Sequence, residues 1–320
     1  MIHRGLLSAS AASLILAGCA SPSGPPVRVI VPKGATFSAA TDSLKRAGLV
    51  GPALLFKLYA RANGKDRNIK PGTYLIKHGT PWSDIVAALN GGHGLVNTIT
   101  IPEGFSLSQI VPLLAKTLTV PVDSVTAAVN DTALLTRLGV PIKSVEGYLF
   151  PDTYAFPDGT SARAAVMEMV KRFEREWKPE WNDRLPQLGL TRHEVVTLAS
   201  IIEREAKIAA ERPVIGAVYL NRLRAKMPLQ ADPTVQYALG KHTPRVLHKD
   251  LEVDSPYNTY KYPGLPPGPI ASPGGASLKA AVFPADVGFL YFVAAPDGHH
   301  EFRRTLDEHT AAIRSIRSQR

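Results

Sequence analysis

Thr191-Arg-His-Glu-Val-Val-Thr-Leu-Ala-Ser-Ile-Ile-Glu-Arg-Glu-Ala206 reads as an amphipathic helix that carries its own start signal. Thr191 with Glu194 three residues later is a capping box, each side chain satisfying a backbone N–H that the first turn leaves free. Val195, Leu198, Ala199, Ile202 and Ala206 follow at helical spacing and define one buried face. At about 100° per residue, Glu203 falls on one flank of that face, roughly 80° from its centre, Glu205 on the opposite flank, and Arg204 outward. A carboxylate at the edge of an apolar stripe is partly desolvated. Desolvation raises its pKa and lets it hold a proton near neutral pH, the property a general acid needs. Two solvated flank glutamates are the plainer alternative, and periodicity alone leaves both open.

A chain of 320 residues, 45% hydrophobic and 20% charged, can bury a sizeable core and divide into two or more modules. Its 27 prolines and 25 glycines predict long shaped loops rather than disorder. The net charge of +10 suits an anionic membrane face, an acidic polymer or nucleic acid. Basic clusters are short, as at Arg222 to Lys226, and no zinc or RNA-binding signature accompanies them, so nucleic acid is not the expected partner. The nine histidines are scattered, none beside acids at ligand spacing, and no glycine loop for phosphate is present. No metal and no cofactor are therefore expected, and His299 and His300, beside a hairpin turn, read as surface residues.

The N-terminus is more specific. Arg4 precedes an apolar, small-residue run from Gly5 to Ala17, which leads into Leu16-Ala17-Gly18-Cys19. This resembles a bacterial signal peptide over residues 1–18 ending in a lipobox, with Cys19, the only cysteine, as the lipidated first mature residue. The run is short for a membrane-spanning helix, although an uncleaved signal anchor is the alternative. Either way the folded part is expected outside the cytoplasm, beside a membrane. Residues 19–26, rich in Pro, Ser and Gly, read as a tether.

From Val27 to about Lys116 one pattern recurs three times. Val29 to Gly34, Tyr74 to Gly79 and Thr98 to Gly104 each read as a short strand and turn. Each turn glycine is followed three residues on by an apolar residue (Phe37, Trp82, Leu107) and ten residues on by a leucine (Leu44, Leu89, Leu114). Such recurrence predicts strand–helix units sharing a core. The middle copy, taken as Lys70 to Gly92, resembles a LysM unit, a small βααβ glycan-binding module.

Thr117 to Lys143 reads as a helical connector, Ser161 to Trp177 and Pro213 to Leu223 as helices, and Phe289 to Arg303 as a hairpin closing on Asp297-Gly298, with Thr305 and Glu308 capping a last helix. Glu146-Gly-Tyr-Leu-Phe-Pro-Asp-Thr-Tyr154 mixes aromatics with polar groups, as one wall of a sugar cleft does, and as an ordinary aromatic turn also does. Proline-stiffened loops at Met227 to Tyr237, Ser255 to Tyr260 and Gly264 to Gly274 carry amides, hydroxyls and tyrosines.

Glu146 to Tyr154, Ala199-Ser-Ile-Ile-Glu-Arg-Glu-Ala206, Tyr219-Leu-Asn-Arg-Leu223, Leu229-Gln-Ala-Asp-Pro-Thr-Val235, Tyr257-Asn-Thr-Tyr260, Gly264-Leu-Pro-Pro-Gly-Pro-Ile270, Ser277 to Ala281 and Tyr291-Phe-Val293 come in one order. Together they resemble the YceG-like endolytic murein transglycosylases, the MltG family. The resemblance implies an α+β fold. A small LysM-like βααβ module, packed on strand–helix units over residues 27–97, would precede a mixed α+β catalytic domain over residues 98–320 with long Pro/Gly-rich loops. It implies that Glu203, first of the two glutamates in its motif, is the catalytic acid. It further implies that Glu146, Tyr148, Asn221, Gln230, Asp232, Tyr257, Asn258 and Thr259 lie in or near the glycan cleft. Family members more often have an N-terminal membrane-spanning helix, so the lipobox is a departure.

The implied reaction cuts the β-1,4 bond between N-acetylmuramic acid and N-acetylglucosamine within nascent glycan strands, leaving 1,6-anhydro ends. One carboxylic acid protonates the leaving oxygen and, once ionised, takes the proton from the muramic O6–H as it attacks C1. Peptidoglycan strands and a membrane are the expected partners, with peptidoglycan synthases beside them, in the periplasm at the inner membrane. Two alternatives stand: a muramidase using Glu203 with a second carboxylate (Asp152, Asp232 or Glu205), and a non-catalytic peptidoglycan-binding lipoprotein.

Overall fold

The computed structural model describes residues 22–92, 94–240 and 246–318, so the signal peptide and Cys19 lie outside the described residues. Among the described residues no helix is long and apolar enough to cross a membrane. The chain forms two compact units, the first ending at Val96 and the second starting at Asn97.

In the first unit, β1 (Ser23–Val31) begins inside the segment expected to be a tether. Ser23 pairs with His78 and the ladder resumes at Val27. Pro25 and Pro26 have no N–H to offer, which accounts for the irregularity between. Val29 and Val31 point into the core while Arg28 and Ile30 face out, the alternation of a half-buried strand. The helices α1 (Phe37–Arg46) and α2 (Ala53–Ala62) follow, and β2 (Gly72–His78) returns antiparallel to β1. Next come α3 (Trp82–Gly91) and β3 (Leu95–Thr100), whose Leu95 and Val96 pair with β2. Phe37 stacks on Phe56 at 5.7 Å and Trp82 meets Phe56 edge-on at 5.5 Å, at the centre of a core that includes Leu44, Tyr74, Ile85 and Leu89.

All three strand–turn–helix copies are present, the third led by α4 (Leu107–Leu118) of the second unit. Gly34, Gly79 and Gly104 adopt φ of +78°, +77° and +77°, the left-handed region where a side chain is strained, and each helix starts three residues later. The βααβ order is formed by β1–α1–α2–β2. Residues 70–92 hold one strand and one helix, because Gly92, at φ +77°, ends α3 and turns the chain into β3.

The second unit continues with α5 (Val122–Val129), α6 (Thr132–Leu138), β4 (Thr153–Pro157), α7 (Ala162–Glu176) and the single turn α8 (Leu185–Leu188). β4 joins the end of β3 where Ile101 N–H donates to the Asp152 carbonyl at 2.9 Å. Then follow α9 (Arg192–Glu205), α10 (Arg212–Arg224), α11 (Asp232–Ala238), α12 (Gly275–Val282), the hairpin β5 (Tyr291–Ala294) with β6 (His300–Arg303), and α13 (Leu306–Ser318). The capping box of α9 is made, with Thr191 N–H donating to Glu194 Oε2 at 2.7 Å. Every residue from Val195 to Ile202 is buried, beyond the single apolar stripe read from the sequence. Its middle is covered on all sides because α10, α11 and α12 each lie against it. His300, read above as a surface residue, is buried, its backbone N–H donating to Glu211 Oε1 at 3.0 Å.

Candidate active site

Glu203 stands on the last turn of α9 with its side chain only 6% exposed. Arg212, the first residue of α10, donates from Nη2 to its Oε1 at 3.2 Å, and the Gly274 N–H donates to its Oε2 at 2.9 Å. Gly274 is the N-cap of α12, so the carboxylate also meets the positive end of a helix dipole. Arg212 is fixed in turn by Nε donating to Ser277 Oγ at 3.0 Å, and its Nη2 lies 3.9 Å from Glu103 Oε2. Glu103 and Glu203 therefore share one guanidinium. Burial raises the Glu103 carboxyl above its usual range and the charge of Glu203 adds to the rise, while Arg212 opposes both.

Backbone bonds bring these groups together. Gly104 N–H donates to the Ser272 carbonyl at 2.9 Å and Ser272 N–H to the Phe105 carbonyl at 2.8 Å, which ties the turn after β3 to the loop before α12. A Cβ on Gly274 would stand 1.8 Å from Glu103 Oε1, so only glycine lets that carboxyl lie against the loop. Arg204, expected to point outward, is half-buried and donates to the Gly104 carbonyl at 3.3 Å.

Glu205 has different partners, since residues two apart on a helix project to opposite sides. Its Oε1 accepts from the Tyr219 hydroxyl at 2.9 Å. Desolvation pushes its carboxyl up to about 7, and the charge of Asp232 adds to the rise. It lines a polar cavity of about 280 Å³ with Gln230, Asp232, Arg222 and Tyr260, whose hydroxyl donates to Asp232 Oδ1 at 2.6 Å. Gln230 and Asp232 thus gather around Glu205, on other partners than those of Glu203. Asp152 is paired with Arg172 at 2.8 Å.

The remaining residues separate into shaping and lining roles. Asn221 donates to the Val287 and Phe289 carbonyls at 2.8 and 3.0 Å, and buried Asn258 to those of Leu251 and Val253, both at 2.8 Å. Thr259 Oγ1 accepts from Ala231 N–H at 3.0 Å. These three side chains hold loops in place. Glu146 is 2% exposed and caps the start of α4, accepting from Leu107 N–H at 3.0 Å and from the Tyr237 hydroxyl at 3.3 Å. Burial pushes it up to about 7 against those donors. Tyr257 lies on Tyr237 with centroids 4.8 Å apart. Tyr148 borders a cavity of about 800 Å³ that is lined by neither Glu203 nor Glu205 and adjoins the opposite end of α9. His193 Nε2 faces the Pro267 carbonyl at 2.9 Å, an acceptor only, so its Nδ1 takes the bond from the Tyr148 hydroxyl at 2.9 Å.

Sequence reasoning missed Glu103, Arg212 and Gly274. A signal for Glu103 was present: the residue before the turn glycine is Lys33 in the first copy and His78 in the second, and an acid only in the third. Arg212 carries no comparable mark. Among the described residues no three His, Cys, Asp or Glu side chains are placed to hold a metal ion.

The family model described as YceG-like matches residues 29–315, nearly all of both units. The chain belongs to the YceG-like family. The endolytic murein transglycosylase of Bacillus subtilis is 36% identical over 302 residues, covering 89% of this chain and 83% of that protein. The endolytic murein transglycosylase of Streptococcus pneumoniae D39 is 28% identical over 315 residues, covering 88% of this chain and 57% of its own length. Among solved structures, a yceG-like protein of Listeria monocytogenes aligns with a TM-score of 0.65 at 34% identity, covering 89% of this chain and 98% of that one. This YceG-like chain thus shares its α+β architecture with a solved member of the family.

Proposed function

We propose that this chain is an endolytic murein transglycosylase that cuts the β-1,4 bond between N-acetylmuramic acid and N-acetylglucosamine, with Glu203 as acid and then base. The observation that carries the assignment of Glu203 is its setting: a nearly solvent-excluded carboxyl, aimed by Arg212 and the Gly274 N–H, in a chain of the YceG-like family. Glu203 gives a proton to the bridging O4 as the C1–O4 bond breaks, and N-acetylglucosamine leaves with a free hydroxyl. The muramic O6 closes on C1, and its proton passes to the Glu203 carboxylate, which restores the acid without consuming water. The attack is intramolecular, so the protein need not immobilise a separate nucleophile. Arg212 bonds Glu203 and lies 3.9 Å from Glu103, so one guanidinium faces both carboxyls.

A hydrolase needs a second carboxylate, and Glu103 beside Arg212 is available for that role. A second assignment of the acid rests on Glu205, whose carboxyl is pushed up to about 7 beside a polar cavity. Work at the envelope, beside a membrane that Cys19 or the apolar N-terminal run would engage, belongs to the same proposal, as do neighbouring peptidoglycan synthases. Mass spectrometry of uncrosslinked peptidoglycan strands digested with the full chain tests the reaction. Anhydro-muramic ends are expected; reducing ends mean a hydrolase, and intact strands a binding protein.

A further inference from the structure

The first unit exposes an apolar helix face that its own core does not use. On α2, Phe56 and Ala60 are fully buried, whereas Leu54, Leu55 and Leu58 are 70%, 52% and 54% exposed. At about 100° per residue those leucines and Ala62 cover one contiguous sector roughly 100° wide, flanked by Arg61. Three leucines so exposed on one helix face form an apolar surface that their own unit leaves uncovered.

Two further observations select what covers it. Between residues 22 and 96 the chain has ten lysines and arginines against three aspartates, an excess of seven positive charges. Lys57, Arg61, Lys65 and Arg67 belong to α2 or the turn after it. The second observation is where the chain enters the unit. Ser23 pairs with His78, and a Cβ on Gly48, in the connection between α1 and α2, would lie 3.3 Å from His78 Cε1. The entry of the chain and the approach to α2 therefore share one end of the unit. Ser23 is four residues from Cys19, at most about 14 Å of extended chain.

We infer that α2 is an interfacial helix that lays the first unit on an anionic lipid surface, with Leu54, Leu55 and Leu58 in the headgroup region and the neighbouring basic side chains on lipid phosphates. This rests on the reading that the N-terminal run or Cys19 holds the chain at a membrane. The short entry segment brings the leucines to the bilayer, and the charge keeps them there; neither alone would fix one face. An enzyme held this way acts on glycan close to the membrane, where new strands emerge.

The test uses the full chain in nanodiscs of phosphatidylethanolamine with phosphatidylglycerol, with photoreactive benzoylphenylalanine in place of Leu58 or, as control, of Ile30. Ile30 is as exposed as Leu58, 54%, but sits on the outer face of β1. Illumination should yield a lipid adduct at position 58 and little at position 30. With Arg61→Gln the adduct should fall roughly fivefold, the worth of about one basic residue at an anionic surface, and in phosphatidylcholine alone it should fall further. Equal adducts at both positions, no adduct in discs that carry the protein, or crosslinking of position 58 to a second protein chain would each overturn the inference. Failure of the chain to enter discs at all would remove the anchor on which it rests and overturn it with that anchor, while leaving the glycan chemistry untouched.

Discussion

Replacing Arg212 by methionine keeps much of the side chain's bulk and removes its charge. Arg212 and Glu203 are 13% and 6% exposed, with Nη2 and Oε1 3.2 Å apart. At an effective dielectric of about 20 that separation corresponds to roughly 5 kcal/mol of attraction. Removing one member of such a pair leaves a buried charge without its counterion and costs about 3–5 kcal/mol. Glu203→Gln in the same background removes the stranded charge, so Arg212→Met/Glu203→Gln should recover about 2 kcal/mol or more. Urea unfolding followed by tryptophan fluorescence measures this, because Trp177 and Trp181 both report on the second unit. If Arg212→Met costs under ~1 kcal/mol, or the two substitutions simply add, the ion pair is not what holds Glu203, and the placement of the proposed acid fails with it.

Other consequences follow from the same geometry. Gly274→Ala should abolish most activity while changing stability little, because its Cβ would displace the flexible end of Glu103 rather than backbone; unchanged strand cleavage would contradict this. Glu146 has a folded pKa of about 7 against 4.5, so its ionisation opposes folding, and the stability it leaves intact below about pH 4.5 is lost as pH rises through 7. That loss amounts to ~3 kcal/mol, and Glu146→Gln should remove it from a pH series of urea midpoints. Asn258→Ala removes a buried amide and leaves the half-buried Leu251 and Val253 carbonyls without their donor, which should cost about 1–3 kcal/mol, with product ends unchanged.

The elements were legible where local chemistry dictates them. The Thr191–Glu194 box, the three turn glycines and the Thr305–Glu308 cap each act within a few residues, and each is found where the spacing put it. Relations across the fold were not legible. Periodicity sets Glu203 and Glu205 as mirror flanks of one helix, yet one meets Arg212 and a helix N-terminus and the other Tyr219 and a cavity. That difference comes from α10, α12 and the turn at Glu103, which lies 100 residues before Glu203. Asn221, near the end of α10, and Asn258, in a loop, show the converse: polar residues in recognisable motifs whose donors are taken by backbone carbonyls. His300 failed for a similar reason, since nothing near it in sequence announces Glu211.

Glu203, and not Glu205, is the residue proposed to move the proton. Both carboxyls stand at the end of one helix, so Glu203→Gln and Glu205→Gln, each checked for retained folding, can be compared directly for anhydro-muramic ends released from uncrosslinked strands. Glu203→Gln should make none, while Glu205→Gln should still make the same ends at a reduced rate. Anhydro ends from Glu203→Gln together with none from Glu205→Gln would contradict it and move the acid to the cavity beside Tyr219.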